Sequence, residues 1–125
     1  MKDVVLTDKG PKPIGPYSQA IKSGGFLFAS GQVALDPRSN EFSAGDIRQQ
    51  TERVLENIKG ILEAGGVNLH HVVKTTVFLK DMNDFAAMNE VYAKYFTADF
   101  PARSTVQVAA LPRGAQVEIE VMAHF

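Results

Sequence analysis

Arg103 is the residue whose setting most invites chemistry. In the stretch from Phe100 to Ala109, FPARSTVQVA, it follows a proline by two positions and opens a strand-like run. On a strand, Arg103, Thr105, Gln107 and Ala109 share one face, and Ser104, Val106 and Val108 take the other. A guanidinium among small and polar neighbours reads either as a solvated arginine at a strand edge or as a bidentate clamp for a carboxylate, a role its planar fork suits better than lysine. Glu118 and Glu120 share a face of the segment VEIEV. They are either exposed carboxylates of an amphipathic strand or, if one is partly buried beside a ligand, a group that positions water or moves a proton. Spacing leaves both pairs of readings open.

Four other positions carry polar chemistry in restricted settings. Tyr17 follows a loop with three prolines between Gly10 and Pro16, so it is delivered to a definite place, for packing or with its hydroxyl toward a ligand. Asn89 falls on the inward stripe of a helix, where its amide needs partners and can pin helix to sheet or touch a ligand. Ser30-Gly31 is a strand-ending turn or a close-approach site beside a free backbone N–H. No thiol nucleophile, thiolate metal site or disulfide is available, because the chain has no cysteine. His70 and His71 are adjacent, so on a strand they diverge and cannot share a metal, and His124 is isolated. No metal site is expected. The segment KGILEAGG places its lysine before the glycines and is no phosphate loop. No Ser/His/Asp signature of nucleophilic catalysis is present, and no lysine is marked for a Schiff base.

The elements that must hold these residues follow from periodicity. DVVLT reads as a first strand. YSQAIKSGGFLFASGQVAL reads as two strands joined at Gly24-Gly25, a pair that takes the positive φ angles of a tight hairpin. From Asp46 to Ala64, Ile47, Val54, Leu55, Ile58, Ile61 and Leu62 recur at helical spacing, with Ser43 or Asp46 as cap and Gly65-Gly66 as the stop. HVVKTTVFLK alternates as a strand, with Val73, Thr75, Val77 and Leu79 on one face and Val72, Lys74, Thr76 and Phe78 on the other. A second helix spans MNDFAAMNEVYAKYF, with Phe85, Met88, Tyr92, Tyr95 and Phe96 inward. ARSTVQVAAL and AQVEIEVMA are strands separated by a turn at Pro112-Arg113-Gly114.

The order β-β-β-α-β-α-β-β predicts an α+β fold, a single mixed sheet with both helices on one face. Residues 1–125 are expected to form one domain, since 125 residues with 45% hydrophobic content support one core and no repeat or linker divides them. The face without helices also carries alternating apolar residues, which predicts burial against another copy of the chain. Thirteen basic against fourteen acidic residues give a net charge of −1, so no global field draws nucleic acid or a membrane surface. Small molecules or proteins are the expected partners. MKDVVLTDKG lacks a signal-peptide core and no apolar run reaches spanning length, so a cytoplasmic protein is expected.

The chain resembles the Rid family, the reactive-intermediate (enamine/imine) deaminases, and within it the RidA type. The segments that carry the resemblance are IGPYSQA at 14–20, ASGQV at 29–33, VVKTTVFLKDMNDFAAMNEVYAKYF at 72–96 and FPARSTVQVAALPRGAQVEIE at 100–120. The resemblance implies a chorismate-mutase-like sheet assembled as a homotrimer with ligand clefts between subunits. It maps site roles onto Tyr17, Ser30, Gly31, Asn89, Arg103, Thr105 and Glu118, and it favours Glu118 over Glu120. It also implies that Arg103 holds the carboxylate of a 2-imino or 2-enamino acid such as 2-aminoacrylate, that Glu118 orients water at the C=N carbon, and that a 2-oxo acid and ammonia result without any cofactor. Many relatives have cysteine where this chain has Thr105, so thiol-dependent behaviour does not carry over.

Geometry adds its own expectation. A simple hairpin about Pro112–Gly114 would set Glu118 opposite Ala109, about 20 Å from Arg103 along the strand. Either the last two strands are not neighbours, or the two residues meet across a subunit boundary. Two competing readings stand beside deamination. One is a non-catalytic trimer that binds 2-oxo acids or similar carboxylates. The other is a ribonuclease or translation inhibitor, disfavoured by the near-neutral charge and the lack of a basic-aromatic cluster.

Overall fold

The computed structural model describes all residues from Met1 to Phe125. Strands β1 (Asp3–Val5), β2 (Ala20–Ser23) and β3 (Phe26–Gln32) precede helix α1 (Ile47–Ala64). Strand β4 (Val72–Leu79), helix α2 (Phe85–Tyr95), and strands β5 (Ala102–Gln107) and β6 (Val117–His124) complete the order read from the sequence. Gly24 and Gly25 close the β2–β3 hairpin at φ +60° and +84°. Helix α1 starts at Asp46 in a reciprocal capping box: the Asp46 carboxylate accepts from the Gln49 N–H at 2.9 Å, and Gln49 Oε1 accepts from the Asp46 N–H at 2.9 Å. Two orphan donors of the first turn are thereby satisfied. The helix stops where Gly66 turns left-handed at φ +85°.

The six strands form one sheet in the order β1-β2-β3-β6-β4-β5. All pairs are antiparallel except β4 with β5, which run parallel because α2 carries the chain back over the sheet between them. Strand β6 lies between β3 and β4, so β5 and β6 are not neighbours and no simple hairpin joins them. Both helices cover one face. Val54, Leu55, Ile58, Ile61 and Leu62 of α1 and Met88, Val91 and Tyr92 of α2 are buried there, against Leu27, Val77, Leu79, Val117 and Ile119 of the sheet. No helix is long and apolar enough to cross a membrane.

Two local expectations need correction. A register shift between Val72 and Lys74 where β4 pairs with β6 inserts one extra residue. Side-chain parity flips there: Val72 is in the core and Val73 is exposed, while Thr75, Val77 and Leu79 keep the inward face. Phe85 is the second. It opens α2 directly after the 3₁₀ turn Met82–Asp84 and is exposed, not buried in the stripe that Met88 and Tyr92 continue.

The opposite face of the sheet has no helix over it. Val4, Phe28 and Val106 stand there at 63%, 42% and 41% exposure, on the same side as Glu118 and Glu120. Strand β5 is an edge. Just past its end the Val108 N–H donates to the Leu79 carbonyl at 2.9 Å, and by the alternation of a parallel ladder the N–H and C=O groups of Arg103, Thr105 and Gln107 point off that edge. The helix-free face, apolar at Val4, Phe28 and Val106, is thus continuous with an unpaired sheet edge.

Candidate functional site

The predicted residues separate into two groups. On the helix side of β5, Arg103 emerges in register with Thr75 of β4. Its Nη1 donates to Asn89 Oδ1 at 2.8 Å, so the Asn89 amide ties α2 to the sheet edge through the guanidinium. The guanidinium carbon lies 4.7 Å from the centre of the Tyr92 ring and 5.5 Å from that of Phe85. Each contact is neutral, and Arg103 takes part in none of the protomer's ion pairs. Its remaining donors border a recess of about 360 Å³ lined by Asn89, Tyr92, Phe96, Phe100, Pro101 and Arg103 itself. The Tyr92 hydroxyl is 2.8 Å from Thr75 Oγ1. Burial pushes the Tyr92 phenol upward, against a smaller pull downward from Thr75 and Arg103, so the ring beside the guanidinium stays neutral. Thr105 lies two residues on, and its Oγ1 is buried without a hydrogen-bond partner.

The second group occupies the other side of the sheet. Glu118 projects into a recess of about 370 Å³ with Tyr17, Gly31, Ile14, Val33 and Arg113 on its walls. The Glu118 carboxyl is half-buried, and no hydrogen bond or ion pair within the protomer engages it. Burial first, and the nearby Glu120 second, push its pKa above the ordinary carboxylate value. Gly31 sits where the β3–β6 register shifts between Ala29 and Gln32. A Cβ there would collide with the Glu118 carboxyl, 2.9 Å from its Cδ and closer still to Oε2, so glycine is what lets Glu118 lie across the strand.

The loop before β2 is fastened from beneath. Buried Gln19 accepts from the Thr7 N–H at 2.7 Å and donates to the carbonyls of Thr7, Gly10 and Pro11 at 3.0, 3.2 and 2.8 Å. Ser30 Oγ donates to the Ser18 carbonyl at 2.6 Å and the Ser30 N–H to the Gln19 carbonyl at 2.9 Å. The Ser30 hydroxyl is thus used to hold the loop that presents Tyr17. Tyr17 is half-exposed, and its hydroxyl accepts from the Ile14 N–H at 3.2 Å.

Arg103, Asn89 and Thr105 therefore stand together on one side, and Tyr17, Gly31 and Glu118 on the other, with Ser30 behind the Tyr17 loop. Two neighbours escape a reading of the sequence alone. Tyr92 follows Asn89 by three residues and so shares its helix face, a spacing that carries the signal but equally suits packing. Arg113 reads only as a turn residue; it adopts φ +61° and borders the Glu118 recess.

The mixed α+β sheet thus carries a guanidinium without an acidic partner on one face and a half-buried carboxyl on the other. Residues 7–125 match the family model described as Endoribonuclease L-PSP, and the chain belongs to that family, which includes the Rid proteins. A RutC family protein of Pyrococcus horikoshii is 59% identical over 99% of this chain and 98% of its own. The 2-iminobutanoate/2-iminopropanoate deaminase of Mus musculus is 48% identical over 98% of this chain and 91% of its own. Among solved structures, RidA from an Antarctic Psychrobacter superposes with a TM-score of 0.95 at 46% identity, covering 98% of this chain and 99% of that one. E. coli TdcF with bound serine superposes at 0.93 with 41% identity and 98% coverage of each chain.

Proposed function

We propose that this protein is an enamine/imine deaminase, hydrolysing 2-imino acids such as 2-iminopropanoate and 2-iminobutanoate to 2-oxo acids and ammonia. The observation that carries the reading is the presence in one small chain of Arg103, held by neutral partners with donors free, and of Glu118, a half-buried carboxyl whose pKa burial raises. The similarity to a mouse protein named for this activity supports it.

The catalytic unit is a homotrimer in which the bare sheet face and the β5 edge of one subunit meet the next. In that arrangement Arg103, Asn89 and the Thr105 backbone come from one subunit, and Tyr17, Gly31 and Glu118 from its neighbour, with Ser30 holding the Tyr17 loop. Arg103 pairs with the substrate carboxylate in the recess floored by Tyr92 and Phe100. An enamine such as 2-aminoacrylate first takes a proton at its terminal carbon to become the imine. Glu118 as carboxylate accepts a proton from water while the water oxygen bonds to the carbon of the protonated (iminium) form and the C=N π pair moves onto nitrogen, giving the neutral carbinolamine. The same carboxyl then returns its proton to the nitrogen and, as carboxylate again, takes the hydroxyl proton as the C–N bond breaks. Ammonia leaves with the bonding pair, the carbonyl forms, and Glu118 gives up that last proton to solvent.

The demand on the site is modest. Imines hydrolyse unaided in water, so a rate gain of about 10³, or about 4 kcal/mol, is sufficient, and orientation with one proton-handling group supplies it. The test generates imino acids with an amino-acid oxidase and traps surviving imine with semicarbazide. Wild type should suppress semicarbazone formation and Arg103→Ala should not. No suppression by wild type with several imino acids would leave a carboxylate-binding protein, a role the serine-bound E. coli neighbour makes concrete.

A further inference from the structure

Arg103 is a long side chain at a sheet edge, and its one hydrogen bond, to Asn89, fixes a single N–H. A lone bond leaves the guanidinium plane free to swing about it. What fixes the plane is the ring of Tyr92, 4.7 Å from the guanidinium carbon, with Phe85 farther off at 5.5 Å. Tyr92 is itself anchored. Its hydroxyl meets Thr75 Oγ1 at 2.8 Å, and Thr75, fully buried, is the residue that stands beside Arg103 in the β4–β5 register. Helix, central sheet and edge arginine thus converge on one point.

We propose that Tyr92, locked by Thr75, is the positioning residue that presents the Arg103 guanidinium to a ligand carboxylate. The inference rests on the reading of Arg103 as a carboxylate clamp. The aromatic face holds a cation without neutralising it, whereas an acidic partner in the same place would compete with the ligand. The hydroxyl has a separate role, since it satisfies the buried Thr75 and sets the ring's tilt. A phenylalanine would keep the face and lose the lock, and an aliphatic residue would lose both.

The test uses the full chain and two readouts, 2-oxobutanoate binding by calorimetry and steady-state imine hydrolysis. Tyr92→Leu should weaken binding and raise KM by roughly 5- to 30-fold, with kcat within about twofold. Tyr92→Phe should stay within about threefold of wild type on the same scale, the aromatic face being restored. Tyr92 is buried, so pentafluorophenylalanine at position 92 provides a variant of preserved shape with an electron-poor ring. It should raise KM and Kd relative to Tyr92→Phe without lowering the melting temperature to match. Unchanged Kd and KM in Tyr92→Leu and in the fluorinated protein, with only the melting temperature lowered, would overturn the positioning role. If wild type binds 2-oxobutanoate with the expected ordering of variants yet hydrolyses no imine, the positioning role holds and the deaminase reading fails. If wild type binds no 2-oxo acid, the clamp and its positioning residue fall together.

Discussion

Arg103 and Glu118 lie on opposite faces of the same sheet, on strands separated by β4 and offset by three register positions, since Arg103 stands beside Thr75 and Glu118 beside Phe78. Two inter-strand spacings and three residues of rise place their Cα atoms about 14 Å apart, with side chains diverging. One protomer cannot bring both to a single small ligand. In the proposed trimer, the helix-free face on the Glu118 side and the open edge on the Arg103 side are what would let two protomers do so.

The pH dependence follows from Glu118. Its carboxyl titrates above the ordinary range because burial, and then Glu120, disfavour the charged form. The folded state therefore holds this proton more tightly than the unfolded state. Stability from this group is fully present below the unfolded pKa and is lost as pH rises through the raised folded value. Glu118→Gln should melt higher than wild type at neutral pH, and the gap should close on acidification to the unfolded carboxylate range. In catalysis, kcat/KM should rise with pH through an inflection above the usual glutamate value, and Glu120→Gln should move that inflection down. An inflection unmoved by Glu120→Gln would detach it from Glu118.

Gly31 is constrained by space alone, since a side chain there would strike the Glu118 carboxyl. Gly31→Ala should displace that carboxyl by about an ångström and lower kcat/KM by roughly 10- to 100-fold, with a far-UV circular dichroism spectrum like wild type. Full activity in a folded Gly31→Ala would show that the position of Glu118 is not critical.

Thr105 buries a hydroxyl with no partner. Thr105→Val removes that unsatisfied group at nearly constant volume and should stabilise by about 1 kcal/mol, raising the melting temperature by roughly 4 °C. If only the backbone at this position meets substrate, turnover should be unchanged. A loss of turnover beyond about tenfold would assign the side chain a direct role.

Local features are legible in the sequence and long-range ones are not. Asp46, Gln49 and the apolar spacing from Ile47 to Leu62 contain the whole instruction for α1, and Gly24-Gly25 that for the hairpin. The bulge at Val72 has no local signature, because an extra residue in one strand is defined only against its partner β6. The insertion of β6 between β3 and β4 is likewise a property of the assembled sheet. Alternation tells which residues accompany Arg103 and which accompany Glu118. It does not tell that the two sets face opposite sides, since that depends on the strand between them. The candidate site residues are identified by resemblance to a family; their separation onto two faces of the sheet is visible only in the structure.

That division makes subunit mixing the most direct test of the central claim, that Arg103 and Glu118 act together from different copies of the chain. Arg103→Ala and Glu118→Gln should each be inactive in imine hydrolysis. Denatured together in equal amounts and refolded, they should regain about a quarter of wild-type activity, because random assembly into a ring pairs an intact Arg103 with an intact Glu118 at about one boundary in four. Activity in the mixture no greater than in the separate variants, while wild type refolded in the same way is fully active, would contradict a site shared between subunits.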